Sequence, residues 1–174
     1  MELSVRNIIS DINNSLGGVF KGAKFYGVAT LVEREGKSQP SVDEQAVTFD
    51  DSYALQAYHK LGAVNVTYKQ GYGDTMNTTN TYAVSAIVFN NEKITKLKSD
   101  EVAMIIQSIL ALNDSATLTG IILNSQQVFA QEYRGTAYSL NEYQSLMQLN
   151  YTVEINFKGN CFNLCPEDFS NCKK

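Results

Sequence analysis

The chain has 174 residues, 44 % apolar and 18 % charged, with a net charge of −4. That length suits one domain with a substantial core. The acidic balance excludes a general nucleic-acid binder, which needs a basic stripe, but permits passive contact with DNA along a repelling wall.

The elements follow in chain order. The first residues, Met-Glu-Leu-Ser-Val-Arg-Asn, lack the basic start and apolar core of a signal peptide. Leu3 to Leu16 predicts an amphipathic helix, with Val5, Ile8, Ile9, Ile12 and Leu16 at helical spacing and Gly17-Gly18 as its end. Phe25 to Val32 predicts a first strand. Glu33 to Pro40 is polar, contains Gly and Pro, and reads as an exposed loop. Gln45 to Phe49 suggests a short second strand, and Asp50-Asp51-Ser52 a turn. Tyr53 to Leu61 fits either a helical face or a strand. Ala63 to Tyr68 is a strand with Val64, Val66 and Tyr68 on one side.

Gln70 to Asn80 is amide- and hydroxyl-rich and reads as a long hairpin tip, a feature that is usually functional or disordered. Thr81 to Phe89 carries no charge on either face, which marks a central strand covered on both sides. Ser99 is read as the N-cap of a second helix, with Asp100 and Glu101 in the first turn, where the helix dipole favours anions. Val102, Ile105, Ile106, Ile109 and Leu110 form its buried face, and it ends near Leu112. Thr119 to Leu123 and Val128 to Tyr133 are each read as a short strand, and Asn141 to Leu146 as a turn or a single helical turn. Met147 to Phe157 alternates strictly, apolar at the odd positions and polar at the even ones, and predicts a half-buried strand. The expected fold is α+β, a mainly antiparallel sheet flanked by two helices with long hairpin loops. It divides into a domain over 1–160 and a cysteine-containing tail over 161–174.

No constellation carries chemistry. Cys161, Cys165 and Cys172 are the weak metal candidates, but their spacing lacks a tight Cys-x2-Cys knuckle and His59, the one histidine, is remote. An odd cysteine number makes no disulfide framework and points to synthesis in a reducing cytoplasm. His59 with Asp50 or Asp51 could form a base and its orienter. No nucleophile elbow or phosphate loop accompanies them, and Gly71-Tyr72-Gly73-Asp74 reads as a turn. No enzyme activity, cofactor or resident metal is expected. No run is long enough to span a membrane as a helix.

The order of elements nevertheless resembles a known group. An N-terminal helix precedes a strand-rich middle carrying Phe49-Asp50-Asp51-Ser52-Tyr53 and Gly71-Tyr72-Gly73-Asp74. A central strand, a capped helix and the closing Tyr151 to Phe157 strand follow. This layout resembles the small α+β head–tail connector, neck-ring and tail-completion (terminator) proteins of tailed bacteriophages. The amide-rich style is similar to that of phages of Bacteroides-type hosts, such as the crAss-like group. The resemblance covers most of the chain but not the cysteine tail.

It implies a structural virion protein that forms a homo-oligomeric ring between portal and tail around the DNA channel, in contact with other portal, neck or tail proteins. It has no catalytic residues to carry over. The expected interface is the 70–80 tip, through Gln70, Tyr72, Met76, Asn77 and Asn80. A small ligand-binding or cell-surface module is the alternative, recognised by a deep apolar pocket in the monomer.

Overall fold

The computed structural model describes residues 2–70, 76–136 and 139–159. The elements are α1 (Glu2–Val19), β1 (Lys24–Val28), β2 (Thr30–Arg34), β3 (Lys37–Val42), β4 (Gln45–Ala46), β5 (Leu55–Gln70) and β6 (Met76–Asn91). They continue as α2 (Glu92–Thr95), α3 (Ser99–Ala111), β7 (Ala116–Ile122), α4 (Ser125–Glu132) and β8 (Gln144–Gly159). A five-stranded sheet runs in the order β1-β5-β6-β8-β7, and a small sheet in the order β2-β3-β4. Among the described residues only the β1–β5 pair is parallel. The fold is α+β.

The two faces of the large sheet explain the uncharged Thr81 to Phe89 run. On one face Val84, Ala86 and Val88 pack with Val5, Ile9, Ile12 and Leu16 of α1 and Val102, Ile106 and Leu110 of α3. On the other, Ile87 and Phe89 pack with Tyr58 and Leu146, Val128 of α4, Tyr133, and Ala29 and Val47 beside the small sheet. The helix-side face is covered along the run, but the other is covered only at Ile87 and Phe89, since Ala83 is exposed and Thr81 and Ser85 are half-buried, so the expected cover on both sides holds for the second half of the run alone.

Several expectations are corrected. α1 runs on through Gly17-Gly18 to Val19, and Phe20 N–H still donates to Leu16 O at 2.8 Å. The strand expected over Phe25 to Val32 is split at Ala29 into β1 and β2, and β1 itself is irregular at Gly27, whose φ of +86° a side chain rarely adopts. The exposed loop expected over Glu33 to Pro40 is the β2–β3 hairpin, closed at Glu35-Gly36 with φ of 52° and 74°. Two successive positive φ values match the twist of a tight hairpin, which is why the polar stretch pairs.

Ser99 is the first helical residue of α3 rather than its cap. The N-cap is Lys98, whose N–H donates to the Glu101 carboxylate at 2.7 Å. Val128 to Tyr133 is not a strand. Asn124 Oδ1 caps α4 by accepting from Gln127 N–H at 3.1 Å, and Val128 and Glu132 turn inward one helical turn apart. Besides the two expected helices on one face, α4 covers the other.

Glu132 fixes α4 to the sheet. Its carboxylate, 1 % exposed, accepts from Tyr58 Oη at 2.7 Å and pairs with Lys60 Nζ. Desolvation in this packed site raises the Tyr58 phenol far above its usual range, so it stays a donor. Removing the carboxylate would leave a buried hydroxyl without its acceptor. Glu132→Ala is expected to lower unfolding stability by about 2–3 kcal/mol in urea titrations, and Glu132→Gln, which keeps an acceptor, by clearly less.

Candidate functional site

The long strands β5, β6 and β8 have sixteen residues each, roughly 50 Å at the usual rise. Their first halves in space form the core. Their far halves form a three-stranded arm. Beyond His59, β5 has no partner from β1, and β8 pairs with β7 only as far as Val153, with Glu154 N–H still donating to Ser115 O at 2.9 Å, so farther out both arm edges are open among the described residues. Open edges are templates for pairing with another chain.

The register assigns the arm's faces. Val64, Val66 and Tyr68 lie opposite Tyr82, Asn80 and Thr78, which lie opposite Val153, Ile155 and Phe157. Directly opposed residues share a face. This is the face that carries α1 and α3 nearer the core. Its edge row is Val64 at 43 %, Val66 at 44 % and Tyr68 at 63 % exposure. The reverse face is polar, with Asn65, Thr67 and Lys69 beside Thr81, Thr79 and Asn77. There Thr79 Oγ1 donates to Asn156 Oδ1 at 2.6 Å, and Thr67 Oγ1 to Thr79 O at 3.3 Å.

The interface residues named from sequence fall differently than expected. The stretch from Met76 to Asn80 is not a hairpin tip but the start of β6, paired on both sides. Gln70 and Met76 are the last described pair of the hairpin. Asn77 is half-buried opposite Lys69, and Asn80 is buried between Val66 and Ile155. Tyr72 lies outside the described residues, as do Cys161, Cys165 and Cys172. What the sequence reading missed is the stripe at Val64, Val66 and Tyr68. Its alternation was visible, but not that the stripe stays uncovered.

Asp50, Asp51 and His59 do not converge. Asp50 Oδ1 accepts from Ser52 N–H at 2.8 Å, which holds its carboxyl below the usual range. The buried Gln56 amide closes the same turn, accepting from Asp50 N–H at 3.0 Å and donating to Asp50 O at 2.7 Å. Asp51 accepts from Tyr143 Oη at 3.2 Å and from the Gln144 amide. His59 points the other way, into the helix-side core. It is 1 % exposed, with Nε2 at 2.8 Å from Asn13 Oδ1 and Nδ1 at 2.9 Å from Tyr151 Oη. Ala86, opposite His59 on β6, is small enough for Tyr151 to reach across it from β8.

Asn13 also lines a cleft of about 370 Å³ between α1 and β1. Among the described residues no group of three or more His, Cys, Asp or Glu side chains is placed to hold a metal ion. No described helix is long and apolar enough to cross a membrane. No family model matches the chain, and neither does any curated protein sequence.

Burial depresses the His59 pKa to about 4, against 6.5 for a free imidazole. Between those values the unfolded chain binds the extra proton and the folded chain does not, so stability rises with pH through the window pH 4 to 6.5. At 1.36 kcal/mol per unit the full contribution is about 3 kcal/mol, complete above pH 6.5 and lost as pH falls toward 4. Denaturant titrations across that window should show this slope in the wild type. His59→Gln should be less stable at pH 7 and show a flatter profile.

Proposed function

We propose that this chain is a structural virion protein that forms a homo-oligomeric ring in the neck or tail of a tailed phage. The ring surrounds the DNA channel and touches portal, neck or tail proteins. The observation that supports this reading best is the arm: an apolar row at Val64, Val66 and Tyr68 that the fold leaves exposed, flanked by open strand edges. A three-stranded overhang with an apolar edge row in water gains little from that row as an isolated monomer, whereas a neighbouring subunit would bury it. The far end of the arm carries Gln70 and Met76, so the interface expected from sequence is retained there and extended down β5.

The net charge of −4 suits a channel wall past which DNA moves without sticking. The place of action is then the virion, after synthesis in the host cytoplasm.

Val66→Lys with Tyr68→Lys tests the reading. Both positions are exposed, so the monomer's melting temperature should hold within a few degrees. Ring formation, followed by size exclusion and electron microscopy, and incorporation into particles should be lost. Normal incorporation of the double variant would overturn the role of the stripe, and a wild-type protein absent from purified particles would overturn the virion reading.

A further inference from the structure

The two open edges of the arm belong to different strands that run the same way. β5 and β8 are each antiparallel to β6, so they are parallel to one another on either side of it. On β5 every residue from 62 to 69 is exposed. On β8 the open stretch starts past Glu154, whose N–H still donates to Ser115 O, and takes in Ile155, Asn156 and Phe157. The edges stand level with each other. Val66, Asn80 and Ile155 form one row across the arm, and Tyr68, Thr78 and Phe157 form the next row on that face.

A strand added to an edge extends both faces of a sheet only where its own alternation matches. Setting the β5 edge of one copy beside the β8 edge of a second copy, with both arms pointing the same way and the same face up, meets that condition. On the helix-side face Val64, Val66 and Tyr68 then adjoin Ile155 and Phe157 of the second copy, apolar against apolar. On the reverse face Asn65, Thr67 and Lys69 adjoin its Glu154 and Asn156, polar against polar. Turning one copy over would set each apolar row against a polar one. Two β5 edges meeting antiparallel around a two-fold axis would also keep the faces, but that dimer leaves the β8 edge of each copy open. Open edges are the hazard a folded sheet has to cover. Head-to-tail pairing of unlike edges uses both edges of every copy, and around a closed ring none is left over.

We infer that the arms of neighbouring copies join into one continuous sheet, the β5 edge of each copy pairing in parallel with the β8 edge of the next. The occupant of each edge is a second copy of this chain. This pairing rests on the reading of the arm as a contact between subunits, and it gives that contact its partner strand and its polarity. Backbone groups along the outer side of β5 gain hydrogen-bond partners, and the row at Val64, Val66 and Tyr68, 43–63 % exposed in the single chain, gains an apolar neighbour along its open side.

Engineered cysteines on the two edges test it. Residues level with each other on adjacent strands are within disulfide reach, whereas Val66 and Ile155 of one chain are held roughly 10 Å apart by the intervening β6. In full-length protein with Cys161, Cys165 and Cys172 changed to Ser, Ile155→Cys is mixed in turn with Val64→Cys, Val66→Cys and Tyr68→Cys and oxidised at the highest soluble concentration. At least one mixture is expected to give disulfide-linked pairs of chains in at least tenfold higher yield than either variant alone, and the mixture that links best reads the offset between the strands. A chain carrying both cysteines of that pair should give a ladder of linked chains. If Ile155→Cys fails to fold, Glu154→Cys, at an exposed position on the reverse face, takes its place against Asn65→Cys and Thr67→Cys. Linking by Val66→Cys alone as strong as in the mixtures would put two β5 edges together and overturn the head-to-tail pairing. So would mixtures that link no better than the single variants. Protein present in purified particles without any such link would overturn this pairing and leave the virion reading standing, and linked chains with no protein in particles would do the reverse.

Discussion

The unbroken pairing of β6 with β8 governs the rest of the molecule. Sixteen consecutive pairs, from Met76↔Gly159 to Asn91↔Gln144, run without a register shift. Side chains alternate faces with a period of two, so this single register decides the face of every residue on both strands. It places Val84, Ala86 and Val88 with Leu149 and Met147 under the helices. It places Ile87 and Phe89 with Gln148 and Leu146 under α4 and the small sheet. A slip of one residue would exchange the two cores and bring Glu154 and Asn156 onto the apolar side of the arm.

Polar groups are set into both cores, and each is tied across elements distant in sequence. Glu132 joins α4 to Tyr58 and Lys60 of β5. His59 joins α1 to β8 through Asn13 and Tyr151. Asn90 donates to Leu97 O at 2.9 Å and accepts from Thr95 Oγ1 at 2.7 Å, fixing the short segment between α2 and α3. Each tie is worth little net, but an unsatisfied member is costly, so these contacts select one arrangement of helices on the sheet. Burial keeps His59 neutral at ordinary pH, and a neutral imidazole is what allows one nitrogen to accept from Tyr151 while the other donates to Asn13.

Much of the fold was legible where one physical signal acted alone. The alternation from Met147 to Phe157 was read correctly because one face of β8 is dry and the other wet. The faces of α1 and α3 were readable at their helical spacing. Failures came where partners decided. Met76 to Asn80 is amide- and hydroxyl-rich like a turn, but pairing on both sides makes it strand, and strand preference depends on such context. Val128 to Tyr133 was too short for its period to separate helix from strand, and the Asn124 cap settles it. The absence of a nucleophile or phosphate loop around His59 is visible in sequence, but nothing in its neighbours in sequence marks Asn13 and Tyr151, which lie 46 and 92 residues away.

The bulge in β5 decides what the arm can offer to a neighbour. Up to Leu61 the helix-side residues are odd-numbered, as Leu55, Ala57 and His59 show. The pairing sum with β6 then changes between Leu61↔Val84 and Val64↔Tyr82, and the helix-side residues become even-numbered. One extra residue has been absorbed at Gly62-Ala63. Space does not demand a glycine at this point, since a Cβ on Gly62 would make ordinary contact, 3.4 Å from Ala83 Cβ and 3.5 Å from its carbonyl oxygen. Without the extra residue Asn65, Thr67 and Lys69 would continue the helix-side row, and Val64, Val66 and Tyr68 would turn to the face that now carries the Thr-Asn hydrogen bonds. The bulge therefore puts the apolar stripe of β5 on the same side as Val153, Ile155 and Phe157 of β8. The two outer rows of that side are apolar while the reverse side is polar, so the arm presents a neighbour with two unlike sides, and a closed ring of identical subunits would need such a directional contact.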